Sequence, residues 1–233
     1  MKNFTIIIPI FNEIDSIFNL VDEIKREFKG QQPEIIIVDD GSTDNFAIKK
    51  IKFKNNSPRI IHHKRNMGKC KAMLTGVQNA EKKNICIIDG DGHNPPYEAK
   101  KLMMFWENIN KSEKQFALVC GNRIKRQDTM SKKISSKIAN KIRKIMLDDD
   151  CNDTACALKV FSKNDYLKLN YFTNMHRFLP ALFKINSGKI FNVPVDDRKR
   201  IEGISKYSFH NRFWVGILDL INVWLMILKR RRK

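Results

Sequence analysis

The stretch with the most chemistry in this chain is "ICIIDGDGHNPP", Ile85 to Pro96. An apolar run stops at Asp89, and Asp91 and His93 follow at every second position. In an extended chain, side chains at i and i+2 point to one side. Asp89 and Asp91 can then face one divalent cation across Gly90, with His93 as a third ligand. Hard oxygen donors suit Mg2+ or Mn2+, with phosphates in the remaining positions, and a nitrogen ligand moves the preference toward Mn2+. A calcium loop starting at Asp89 is excluded, because it needs Gly and Glu where this chain has Asn94 and Lys100. The same residues also suit an ordinary polar turn, so the motif alone leaves both readings open.

A second acidic cluster is "VDDGSTDN", Val38 to Asn45. Asp39 and Asp40 at a strand end can bind ribose hydroxyls or a base edge. Gly41 permits a tight turn, and Ser42, Thr43 or Asp44 can cap a following helix. A turn with a cap accounts for residues 41 to 44. It does not account for adjacent acids, which repel unless donors or positive charge lie beside them. No GxGxxG follows the first strand and no GxxxxGK[ST] is present. Nucleotide binding would therefore run through carboxylates, metal and Arg or Lys.

The elements that must position these residues alternate. Strands are expected at Thr5–Ile10, Glu34–Asp39, Arg59–His62, Asn84–Asp89 and Phe116–Gly121. Several are continuous β-branched runs, as in parallel strands buried on both faces. Ile14, Ile17, Phe18, Val21, Ile24 and Phe28 recur at helical spacing, and helices are also expected over Ala72–Lys82 and Tyr97–Ile109, the last entered through Pro95-Pro96. The alternation predicts an α/β fold, a doubly wound, mostly parallel sheet with right-handed crossovers. Such sheets bind ligands at the carboxyl ends of their strands, and "PIFNE", "DDGSTDN", "DGDGH" and "GNRIKR" all fall there.

The chain of 233 residues carries a net charge of +19, which selects polyanionic partners. Nine Lys or Arg lie between Arg123 and Lys144 against one acid, Asp128, and Ile134, Ile138, Ile142, Ile145 and Met146 form an apolar stripe. This pattern suits a basic amphipathic helix on a membrane surface, or a core-facing helix with a solvated Lys face. "FWVGILDLINVWLMIL", Phe213 to Leu228, holds Asp219 and Asn222 and is too short and too polar for a span. It suits a membrane interface or a docked partner, and the "LKRRRK" after it favours anionic lipid. Residues 1–210 are read as one domain and 211–233 as a C-terminal apolar helix with a basic tail. The N-terminal apolar run is too short for a signal peptide. Five cysteines without a CxxC fit a reducing cytoplasm, with Cys86 and Cys120 as small core residues. A nucleic-acid-binding protein would explain the charge, but the chain lacks RNA- and DNA-reading motifs and this reading leaves the acids unexplained.

"IPIFNE", "IIIVDDGSTDN", "HKRNMGKCKAMLTGVQNA", "IIDGDGHNPP" and "ALVCGNRIKRQD" follow in the order and spacing of family 2 glycosyltransferases, which have the GT-A nucleotide-sugar-binding fold. "DTACALKVFSK", "HRFLPALF" and "RIEGISKY" resemble the dolichol-phosphate mannose synthase branch, whose members glycosylate a polyprenyl phosphate. The resemblance covers roughly Phe4 to Tyr207. It implies a nucleoside pocket lined by Pro9, Phe11, Glu13, Val38 and Asp40, with Asp89 and Asp91 holding metal beside the diphosphate. Arg123 would meet the donor or acceptor phosphate, and Arg200 and Lys206 would clamp the diphosphate. Asp153 is the candidate base for a hydroxyl acceptor, or otherwise orients Arg. Arg126, Lys137 and Arg177 are acceptor-phosphate candidates. Phe11 stands where Tyr is usual, His93 where Gln is common, and Cys70 and Ala155 where Gly is usual. The implied activity is metal-dependent, inverting transfer of mannose or another hexose from a GDP- or UDP-sugar to dolichyl or undecaprenyl phosphate. The enzyme would be peripheral on the cytoplasmic face, on an anionic membrane surface or a membrane-spanning partner. The rival within the family is transfer to a saccharide hydroxyl in surface-polysaccharide assembly.

Overall fold

The computed structural model describes residues 1–46, 53, 58–110, 115–124, 142–198 and 209–231. In chain order the elements are β1 (Phe4–Ile10), α1 (Ile14–Glu27), β2 (Glu34–Asp39), β3 (Arg59–His62), α2 (Lys69–Asn79) and β4 (Asn84–Ile87). They continue with α3 (Pro96–Ile109), β5 (Ala117–Arg123), β6 (Lys159–Ser162), α4 (Lys163–Leu167), a 3-10 turn (Met175–Arg177), α5 (Leu179–Ile185), β7 (Lys189–Val195) and α6 (Phe209–Arg231).

Among the described residues, seven strands form one sheet in the order β3-β2-β1-β4-β6-β5-β7. β1, β2, β3 and β4 are mutually parallel, as the β-branched runs predict. Two strands go beyond the five expected. β6 inserts antiparallel between β4 and β5, and β7 adds parallel to β5. β6 hides from a hydrophobicity pattern because it opens with Lys159. That side chain is 4% exposed, and its ammonium donates to the carbonyls of Thr154 and Cys156. β7 is an edge strand, which tolerates Asn192 and Pro194.

The sheet is covered on both faces. Ile6, Ile8 and Ile10 of β1 pack with Ile17, Leu20, Val21 and Ile24 of α1 and Leu102, Met103 and Trp106 of α3. Ile7 of β1, Ile36 and Val38 pack on the other face with Met73 and Val77 of α2, Tyr166 of α4 and Leu182 and Phe183 of α5. α1 lies on one face and α2 on the other, so the chain changes sides between β1 and β4. That switch point leaves a crevice at the carboxyl ends of these two strands. Pro9 is tolerated in central β1 because the β1–β4 ladder stops at Ile7 paired with Ile87.

All five cysteines are buried, Cys86 and Cys120 completely, and burial alone pushes the Cys86 thiol up to about 12. α6 begins at Phe209, ahead of the expected boundary at 211, and packs Val223 and Ile227 against Leu147, Phe178 and Ala181. Of the expected basic helix, residues 142–147 are helical and the part before 142 lies outside the described residues.

Helix α2 meets the sheet closely at Gly76. A Cβ there would lie 2.5 Å from Ile7 Cγ2 and 3.3 Å from Val38 Cγ2. Gly76→Val is expected to overpack this seam and cost about 1–3 kcal/mol, measured by chemical denaturation. An unchanged midpoint would mean that α2 can slide away from β1.

Candidate active site

Three loops interlock at the carboxyl ends of β1, β2 and β3. Asn12 adopts a left-handed conformation (φ 56). Its N–H donates to Ser42 Oγ at 2.8 Å, and its Oδ1 accepts from Thr43 N–H at 2.6 Å. Asp44 accepts from Ile14 N–H at 3.0 Å, so it ties down the start of α1 as well as its own turn through Phe46 N–H. Gly41 (φ 73) is required twice over. Its backbone is left-handed, and a Cβ would lie 2.5 Å from the Arg65 carbonyl carbon.

Asp39 and Asp40 are each 3% exposed, and donors surround both. Asp39 accepts from Ser42 N–H at 3.0 Å and lies 2.9 Å from His62 Nδ1. Asp40 accepts from Met67 and Gly68 N–H at 2.9 and 2.8 Å and lies 2.7 Å from His63 Nδ1, while His63 Nε2 meets Thr75 Oγ1 at 3.0 Å. Two adjacent histidines thus face two adjacent aspartates. The parallel register of β2 on β3, with Asp39 opposite His62, produces this match. Asp40 holds the entry to α2, with Met67 N–H and His63 on its Oδ1 and Gly68 N–H on its Oδ2. Val38 is likewise fully buried beneath α2 and lines the core. Phe11 and Glu13 are half-buried at the end of β1, and Pro9 is buried in it.

The 89–93 loop departs from the extended geometry assumed for it. It turns at residues 90–92, with Gly92 at φ 71. Gly90 packs so tightly that a Cβ would lie 2.5 Å from Ile10 Cγ2, and its carbonyl accepts from Ser16 Oγ at 2.6 Å. Asp91, 7% exposed, accepts from His93 N–H at 3.1 Å. His93 Nδ1 faces Asp197 Oδ1 at 3.2 Å. The trio Asp89, Asp91 and His93 is therefore not assembled as one ligand set. Among the described residues no group of three His, Cys, Asp or Glu could hold a metal ion. Two carboxylates still fit a hard divalent cation that takes its other ligands from phosphate and water. Asp89 has its side chain 28% exposed, and the Lys69 ammonium sits 2.5 Å from its Oδ1 as a resident cation.

Arg123, at the end of β5, joins the remaining acids. Its Nε and a terminal nitrogen donate to Asp153 Oδ2 and Oδ1 at 2.7 and 3.1 Å, a bidentate pair. A third nitrogen lies 3.6 Å from Asp197 Oδ2. Burial acts to lower the guanidinium pKa, but the bond and charge of Asp153, with the charge of Asp197, outweigh it and raise the pKa above its ordinary value. The Asp153 loop is braced by Arg143, which donates to Thr154 Oγ1 and to the Cys151 carbonyl at 2.7 Å. Arg198 clamps the far side, donating to the Gly92 carbonyl at 2.5 Å and to Glu23 at 2.8 and 3.3 Å.

The structure thus gathers Asp89, Gly90, Asp91, His93, Arg123 and Asp153 around the crevice with Lys69, Asp197 and Arg198, which the motif reading did not single out. His62 and His63 were missed as well. Their shared offset of 23 residues from Asp39 and Asp40 is visible only once the β2–β3 register is known. Arg177 lies half-buried in the 3-10 turn. Arg126, Lys137, Arg200 and Lys206 lie outside the described residues.

Residues 5–169 match the model of glycosyl transferase family 2. The chain belongs to that family. It is 30% identical over 236 residues to the dodecaprenyl-phosphate galacturonate synthase of Rhizobium johnstonii, covering 98% of this chain and 68% of that protein. Among solved structures it resembles glucosyl-3-phosphoglycerate synthase of Mycobacterium tuberculosis in complex with Mn2+, uridine diphosphate and phosphoglyceric acid. That match has a TM-score of 0.69 at 15% identity, covering 97% of this chain and 78% of the other. The same enzyme with Mg2+ and uridine diphosphate gives a TM-score of 0.71 at 15% identity, over 97% and 79% of the two chains. The GT-A architecture expected from the motifs is thus the architecture found.

In this glycosyltransferase Asp153 and Arg123 form a largely enclosed charge pair, their side chains 5% and 15% exposed. Asp153→Ala leaves Arg123 without its bidentate partner and is expected to cost about 3–5 kcal/mol, seen as a fall of roughly 6–20 °C in Tm. Asp153→Asn should lose less. Equal, negligible losses in both variants would mean that the pair does not brace the site.

Proposed function

We propose that this family 2 glycosyltransferase moves a hexose-type sugar, mannose or another, from a GDP- or UDP-sugar to a polyprenyl phosphate at the cytoplasmic face of a membrane. The observation that carries this reading is the engagement of Asp153 by Arg123. A saccharide hydroxyl must lose a proton as it attacks, so it needs a general base. Asp153 is the base candidate, and both of its oxygens accept from a guanidinium. A phosphate monoester has a second pKa of about 6 and arrives ionised. It needs cations, and Arg123 is a permanent one. The relative named for dodecaprenyl phosphate supports the same acceptor class.

The chemistry is then a single in-line displacement. An acceptor phosphate oxygen forms the new bond to the anomeric carbon as the bond to the β-phosphate oxygen breaks, and the anomeric centre inverts. Negative charge grows on the departing diphosphate, and electrostatic stabilisation of such charge is usually the largest single contribution to rate. Asp89 and Asp91 would hold Mg2+ or Mn2+, which supplies Lewis-acid stabilisation of that diphosphate when bound. Lys69 stands next to the same carboxylate and supplies a cation of the protein's own. By the family resemblance Arg200 and Lys206 join it on the diphosphate. Arg126, Lys137 and Arg177 are the further candidates for holding the acceptor phosphate. Phe11, at the end of β1, offers a stacking face for the base. Arg198 and Ser16 hold the 89–93 loop from either side, so the two carboxylates are positioned before the donor arrives.

The test is transfer of labelled sugar from a panel of GDP- and UDP-sugars into an organic phase containing undecaprenyl or dolichyl phosphate. Label should appear with Mg2+ or Mn2+, vanish with EDTA, and fall by about 100-fold or more in Asp91→Asn. Transfer to a saccharide hydroxyl, with none to either lipid phosphate from any donor, would overturn the acceptor assignment.

A further inference from the structure

Among the described residues, helix α6 has an exposed apolar outer side. Its inner face is fixed by Val223 and Ile227, buried against Leu147, Phe178 and Ala181. Opposite that face, Leu218, Ile221 and Leu225 recur at i, i+3 and i+7 and are 63%, 39% and 43% exposed. Trp224 and Met226 are exposed on the flanks. Asp219 is the helix's one acid, and it is turned toward the protein, where Asn174 Nδ2 donates to its Oδ2 at 3.0 Å. The outward stripe therefore carries no negative charge. A second helical segment, 142–147, joins the same small core through Leu147 and Met146 and exposes Ile142 and Ile145. Lys144 and Lys229 are exposed beside these stripes, and in the sequence Arg230 to Lys233 continue the second of them.

We propose that these two segments form one docking face for an anionic bilayer surface. α6 lies in the interface with Leu218, Ile221 and Leu225 in the acyl-chain boundary and the lysines among headgroups. Charge complementarity selects this occupant. A second copy would bring two chains of +19 together, and net charge of that size opposes self-association. Spanning is excluded for α6 because one face is already spent on the protein. No helix among the described residues is long and apolar enough to cross a membrane.

The face is also connected to the crevice. Asn174 and Phe178, which hold α6, flank His176. The His176 N–H donates to Cys70 Sγ at 3.2 Å, and its Nδ1 lies 2.9 Å from the same sulfur. Cys70 follows Lys69, whose ammonium sits on Asp89. These contacts link the docking face to the α2 side of the crevice. That the link serves a lipid-linked phosphate rests on the polyprenyl-phosphate reading, but the binding test does not.

The full chain is sedimented with phosphatidylcholine vesicles with and without phosphatidylglycerol. Binding should require phosphatidylglycerol and weaken with salt. Combined Leu218→Ser, Ile221→Ser and Leu225→Ser should weaken it by at least about tenfold with Tm unchanged, as should Lys144→Glu with Lys229→Glu. Undiminished binding of both variants overturns the proposal. So does a concentration-dependent dimer, dispersed by the triple variant, in a chain that ignores vesicles. Vesicle binding without transfer to any prenyl phosphate would remove the acceptor assignment and leave the docking face standing.

Discussion

Acids crowded at one edge of a parallel sheet repel one another, and the rest of this structure is arranged to manage that repulsion. Two unit charges about 4 Å apart at an effective dielectric near 20 interact by about 4 kcal/mol. Asp39, Asp40, Asp153 and Asp197 are all nearly buried, where screening by water is weak. Each is supplied with donors. Backbone N–H groups and paired histidines serve Asp39 and Asp40, and Arg123 serves Asp153 and Asp197. Supplying those donors is what draws the β1, β2 and β3 loops together and pins the end of β5 to the loop before β6.

The same accounting separates scaffold from chemistry. Asp40, at 3% exposure, acts on the fold by fixing where α2 begins. Asp89 is different. It is more open, and its partner is the long flexible side chain of Lys69, which can move aside without breaking a strand or a loop. A cation-binding carboxylate needs this kind of partner, because the competing charge must be displaceable. Asp91 lies between the two extremes. It is enclosed, and it accepts from a backbone N–H two residues on, which fixes the carboxylate in place.

Period and punctuation in the sequence were enough for the parallel half of the sheet, for α1 and α3, and for the concentration of polar clusters at one edge. They failed where long-range contacts decide. α2 begins at Lys69, three residues ahead of the expected Ala72, because Asp40 captures the two preceding N–H groups. β6 is built around a buried lysine that reads as a surface residue until its carbonyl partners are known. Parity put Asp89, Asp91 and His93 on one side, but a positive φ at Gly92 bends the chain and delivers His93 to Asp197. Asp197 and Arg198 sit in a stretch with no strand or helix pattern to give them an address. Their roles arise only because β7 ends beside the 89–93 loop, where Arg198 N–H donates to the His93 carbonyl.

His93 illustrates how such a network transmits position. Its backbone is held by Asp91 and Arg198, and its ring by Asp197, which also faces Arg123. Arg123 is held in turn by Asp153, on a loop braced by Arg143. The loop that would carry the donor's metal and the arginine suited to a phosphate acceptor are therefore connected through one aspartate. A displacement of either end alters the distance from Asp197 to the other, and both ends carry charge. In a transfer between two phosphates the two substrates must be brought together against their own repulsion. A shared aspartate between the groups that would neutralise each of them keeps those groups near one another.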